Sequence, residues 1–112
     1  MGEEIAVTRS SGNVYADLGF PNAEEEVAKA EIVRQISTIL RERRLTQAKA
    51  GEILRISQPK VSALLRGHTE GYSIERLLRF LLWLDRDVEI LVKPRDRNTS
   101  SGQITVVALS AK

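Results

Sequence analysis

Between Ser57 and Gly67 the chain reads SQPKVSALLRG. Coiled as a helix, this stretch buries Val61, Leu64 and Leu65 and leaves Gln58, Lys60, Ser62, Ala63 and Arg66 facing outward. Those side chains suit one kind of chemistry. A glutamine amide pairs bidentately with adenine, a lysine donates to guanine acceptors, and an exposed alanine touches a thymine methyl. Just upstream, Thr46 and Gln47 open a second short apolar-periodic stretch, TQAKAGEIL. At a helix N-terminus they can hold a phosphate through side chain and backbone N–H. Arg43, Arg44, Lys49 and Arg55 would add salt-sensitive contacts to a phosphate backbone. The candidate DNA-facing set is therefore Thr46, Gln47, Ser57, Gln58, Pro59, Lys60, Ser62, Ala63 and Arg66, supported by Arg43, Arg44 and Lys49.

Charge distribution agrees with this set. The net charge of +2 argues for nothing by itself. From Arg41 to Arg66, however, the positive residues Arg41, Arg43, Arg44, Lys49, Arg55, Lys60 and Arg66 are opposed only by Glu42 and Glu52. Asp17, Glu24, Glu25, Glu26 and Glu31 make the preceding part acidic. The bland reading of the basic block is a solvated helical surface; the sharper one is a phosphate-facing patch.

These residues need elements to hold them. With 112 residues the chain can form one small domain around one core. Residues 1–20 read as an irregular N-terminal arm, with SSGN as a turn and Val14, Tyr15, Leu18 and Phe20 packing onto the domain. Asn22 is a good N-cap with Glu25 as its capping-box acid, and a helix runs from there to Arg43 or Arg44. Val27, Ile32, Val33, Ile36, Ile39 and Leu40 give it an apolar face. Thr46 caps a helix over 47–54. Ser57 caps another over 58–66, with Pro59 in its first turn, where a missing N–H costs nothing. Gly67 ends it. Ala50 and Gly51 are small where the two short helices cross, and Leu54 and Ile56 flank the turn. Ser73 caps a fourth helix, from Ile74 to Leu84, with Ile74, Leu77, Leu78, Leu81 and Leu84 on one face. Phe80, Leu82 and Trp83 lie partly off that face, which suggests an oligomer contact. VEILVKP then alternates like a strand with Pro94 as its stop, placing the domain at 21–94. A polar tail over 95–112 carries ITVVAL, a second strand or a tail ordered only in a complex.

Two short helices joined by a tight turn describe a helix-turn-helix, whose second helix enters the major groove. The stretch resembles the Xre/lambda-repressor type. Thr46, Gln47, Ser57, Val61, Ser62 and Gly67 fall in register over the whole motif. Ala50-Gly51 stands where that pattern has Leu-Ala, and Arg55 where it has the turn glycine. The flanks SSGNVYADLGFPNAEEE and YSIERLLRFLLWLDRDVEILVKP look like the HigA-like antitoxin regulators. The resemblance implies a mostly α, lambda-repressor-like helical bundle with a C-terminal strand. It also implies a repressor of its own operon, acting as a dimer, that neutralises a messenger-RNA-cleaving toxin.

A lone strand needs a partner. Val88, Ile90 and Val92, with Leu91 between them and Trp83 nearby, could pair with the same segment of a second copy and set the spacing of two recognition helices on a palindrome. Pairing within the chain, with ITVVAL or with EIAV near the N-terminus, is the alternative. Two functions remain open: a sequence-specific repressor acting on double-stranded DNA, or an inhibitor whose main partner is a toxin protein. Catalysis is not expected. His68 is the only histidine, no Ser–His–Asp geometry is suggested and no Gly-rich phosphate loop appears. With no cysteine there is neither a disulfide framework nor a thiolate metal site, and no cofactor is expected. The polar N-terminus is no signal peptide and LLRFLLWL is too short to span a bilayer, so a cytoplasmic protein is expected.

Overall fold

The structure is a computed structural model that describes the backbone of residues 5–8, and residues 23–99 and 101–109. The elements in chain order are β1 (Ile5–Thr8), α1 (Ala23–Glu42), α2 (Gln47–Leu54), α3 (Gln58–Leu65), α4 (Ile74–Trp83) and β2 (Val106–Leu109). The chain forms two compact units, one of Lys29–Val88 and one of Met1–Ala28 with Glu89–Lys112.

The helical unit is built around the apolar positions that the 3.6-residue period marks. Ile32, Val33, Ile36, Ile39 and Leu40 of α1 are buried, with Ala50 and Leu54 of α2, Val61 and Leu64 of α3, and Leu77 and Leu81 of α4, while Leu84 is buried just beyond α4. Leu65, expected inside, is half-buried. Phe80, expected off the core stripe of α4, is one of the most buried side chains. Its ring meets Tyr72 edge-on, at 5.9 Å between centroids. Leu77, Phe80, Leu81 and Leu84 form a single buried face at helical spacing, rotated toward Phe80 from the expected stripe, of which Ile74 and Leu78 are only half-buried.

All three expected caps inside this unit are formed. Thr46 Oγ1 accepts from the Lys49 N–H at 3.0 Å, Ser57 Oγ from Lys60 at 3.3 Å, and Ser73 Oγ from Arg76 at 3.0 Å. Pro59 sits in the first turn of α3. The C-termini share a device too. Leu45 N–H reaches Leu40 O, Ile56 reaches Gly51 O, His68 reaches Ala63 O and Arg86 reaches Leu81 O. Each is a 6→1 closure around a positive-φ residue. At α3 that residue is Gly67, φ 100°, as the sequence indicates; at the other three helices it is Arg44, Arg55 or Asp85, with φ of 56°, 64° and 66°.

The second unit holds the sheet. β1 and β2 pair antiparallel, with Ile5 opposite Leu109 and Thr8 opposite Val106. Two expectations are corrected here. Residues 5–8, read as irregular, form a strand. The C-terminal strand lies in ITVVAL, while Val88–Val92 carries no regular secondary structure. Alternation supplied only half of what a strand requires. The two segments that could have completed its ladder within the chain pair with each other, and Ile90, Leu91 and Val92 are 78%, 82% and 88% exposed. The expected cap at Asn22 and the packing of Val14, Tyr15, Leu18 and Phe20 lie outside the described residues.

Gly51 packs tightly against the turn between α2 and α3. A Cβ there would stand 2.7 Å from the Ile56 carbonyl oxygen, a backbone atom that cannot swing aside. Gly51→Ala should therefore destabilise the chain by about 1–3 kcal/mol, as overpacking does. Chemical denaturation measures this, and an unchanged midpoint would mean that the turn has room to spare.

Candidate nucleic-acid interface

The orientation of α3 follows from its two most buried residues. Val61 is 0% and Leu64 1% exposed, so the helix cannot rotate about its axis without losing core. That leaves Gln58, Pro59, Lys60 and Arg66 exposed and Ser62 and Ala63 half-buried. Nothing in the helical unit covers the polar face. Lys60 is exposed and has no ion-pair partner among the described residues. Arg66 is partly preset: its Nη1 donates to Ser62 Oγ at 2.8 Å, one turn back along the helix. A guanidinium held this way loses less side-chain freedom when it binds.

Around this face the structure brings together the other candidate residues, with different jobs. Thr46, Gln47 and Ser57 are exposed at the N-termini of α2 and α3. The Thr46 and Ser57 hydroxyls accept from their own helices, which leaves each O–H proton to donate outward. Lys49 is exposed and pairs loosely with Glu52 at 3.4 Å. Arg44 is exposed at the end of α1. Arg43 is turned to structure instead. Its Nη1 donates to the Leu84 carbonyl at 3.1 Å, satisfying an acceptor at the end of α4. His68 is exposed in the loop after Gly67.

Two features of this region depend on contacts between distant segments. Arg34 joins Ser37, Arg66 and Gly67 in a shallow groove beside the end of α3, although its guanidinium is paired with Glu31 at 3.4 Å. Only three-dimensional packing brings α1 there. The other is Arg55. Its guanidinium lies 4.3 Å over the Trp83 ring rather than out toward a phosphate. A glycine would reach the left-handed turn conformation freely; Arg55 reaches it at a cost that the cation–π contact offsets. The signal was present in the sequence as an arginine where the motif has glycine and a tryptophan off the core stripe of α4, but nothing in one dimension joins them.

Among the described residues no group of His, Cys, Asp and Glu could hold a metal ion, and no helix is long and apolar enough to cross a membrane. What the geometry offers is a polar, cation-bearing helix face.

The Arg55 arrangement gives a paired expectation. Arg55→Ala keeps the left-handed strain and loses the ring contact, so it should destabilise by about 1 kcal/mol. Arg55→Gly loses the same contact but relieves the strain, and should stay within about 0.5 kcal/mol of the parent. Urea unfolding of both variants checks the order; alanine as stable as glycine would mean that residue 55 is not held left-handed.

The comparisons with known proteins agree with this geometry. Residues 14–93 match the family described as a helix-turn-helix domain. A solved structure assigned to the XRE family of transcriptional regulators is 42% identical, with a TM-score of 0.72 over 79% of this chain and 99% of that one. No curated protein matches. By both matches the chain belongs to the XRE family of DNA-binding, helix-turn-helix transcriptional regulators.

Proposed function

We propose that this regulator is a sequence-specific repressor that binds a palindromic operator as a homodimer and controls its own operon. The observation that carries the reading is the uncovered face of α3, where Gln58 and Lys60 are exposed at the N-terminal end, the end that reaches base edges in this motif. Gln58 pairs with adenine and Lys60 with guanine; the Ala63 methyl meets thymine. Thr46, Gln47, Ser57, Arg44 and Lys49 hold phosphates and set the register. Two copies related by a two-fold axis present their α3 helices about 34 Å apart, one turn of B-DNA.

A second role, neutralising a toxin protein, is the reading that the likeness to HigA-like antitoxins adds. The exposed apolar run Ile90–Val92 suits a protein partner, a toxin or a second copy of this chain, rather than a nucleic acid. Toxin binding needs neither Gln58 nor Lys60, so the two roles are separable by mutation at those residues.

Fluorescence anisotropy with DNA from upstream of the gene tests the DNA reading. Gln58→Ala and Lys60→Ala should each weaken specific binding by about 1–3 kcal/mol, roughly ten- to a hundredfold, and leave non-specific affinity nearly unchanged. Lys49→Ala should lower the log–log salt slope by about 0.9 per protomer, because it removes one phosphate contact. Equal losses on specific and random DNA for Gln58→Ala would contradict the assignment. Loss of toxin neutralisation in the same variant would contradict the separation of roles.

A further inference from the structure

We infer that a shallow groove on the outer side of α4 receives the Asp87–Val92 segment of a second copy of this chain. The inference rests on the homodimer proposed above and says how its two copies meet. The apolar lining of the groove is Leu78, Leu82, Trp83 and Val88, where Val88 is the last wall residue before the chain leaves for the second copy, and its charged lining is Arg55, Glu75 and Arg79. Leu82 is 52% exposed and lies with Trp83 in the groove lining, so the apolar surface there is open to a partner. Arg79 is already paired, 2.9 Å from Glu75. Arg55 lies on the Trp83 ring and has no carboxylate partner among the described residues. The groove is thus apolar with one uncompensated positive charge.

What fills it must be apolar and negative. The chain carries such a segment in DVEILV. Asp87 and Glu89 are exposed and without ion-pair partners among the described residues. The next three side chains, Ile90, Leu91 and Val92, are exposed at 78%, 82% and 88%. Three successive large apolar residues in water mark a surface made to be covered. In a two-fold arrangement each copy supplies one groove and one segment, so both charges and both apolar surfaces are matched at once.

Occupancy would act on the recognition helix. A segment laid over Trp83 removes water from the Arg55 contact, and a desolvated cation–π pair is stronger than an exposed one. Arg55 is the left-handed residue at the joint between α2 and α3. Self-association therefore stiffens the turn that aims α3, and by linkage DNA binding favours self-association.

The absence of cysteine makes the test clean. Leu82→Cys and Ile90→Cys are made in separate chains, their association is measured by sedimentation, and the two are mixed under mild oxidation. The expected product is a disulfide heterodimer joining positions 82 and 90, with Leu82→Cys alone giving none. Asp87→Arg with Glu89→Arg should weaken self-association at least tenfold while the circular dichroism of the helices stays unchanged. A dimer that cross-links Ile90→Cys only to itself would overturn the groove while leaving the dimer intact. A chain that sediments as a monomer at every concentration would overturn both this inference and the dimer.

Discussion

The whole arrangement depends on how closely two backbones approach at Gly51. The Ile56 carbonyl occupies the space where a side chain at residue 51 would begin. The Ile56 N–H closes onto the Gly51 carbonyl at 3.0 Å, so the turn between α2 and α3 is anchored to the same residue that makes room for it. Once that joint is fixed, Ala50 and Leu54 on one side and Val61 and Leu64 on the other determine the rotation of α3 about its axis. The exposure of Gln58 and Lys60 is a consequence of these apolar contacts. Nothing polar has to hold them out.

The positive charges of this region do different work, although the sequence presents them as one block. Arg43 satisfies a carbonyl at the end of α4. Arg55 covers a tryptophan face. Arg66 is steadied by Ser62. Among the described residues Arg44 and Lys60 remain uncommitted, and Lys49 has an exposed, weak pair with Glu52. A count of lysines and arginines would therefore overstate how many are ready to meet phosphate.

Much of the helical unit was legible in the sequence because its signals are local. Thr46, Ser57 and Ser73 cap helices through bonds three residues long, Pro59 suits only a first turn, and Gly67 suits a left-handed end. Those features follow from backbone chemistry that each short window contains. The outward set on α3 was legible for the same reason, since a helix with Val61 and Leu64 inside has only one other side. What one dimension hid was contact between distant segments. Val88–Val92 alternates like a strand but lacks a neighbour, whereas ITVVAL finds one a hundred residues away in β1. Tyr72 packs on Phe80 from the loop before α4, and Arg55 found Trp83. In each case the residue type carried a hint and the partner could be named only after folding.

The central claim is that the N-terminal half of α3 and the start of α2 form the surface that meets DNA. Amide chemical-shift mapping of isotope-labelled protein, titrated with a duplex from upstream of its own gene, tests this most directly. The account predicts the largest shifts at Thr46, Gln47 and from Ser57 through Arg66, fading as salt is raised. Shifts concentrated on α4 or the β1–β2 sheet, with Gln58 and Lys60 unmoved, would contradict it.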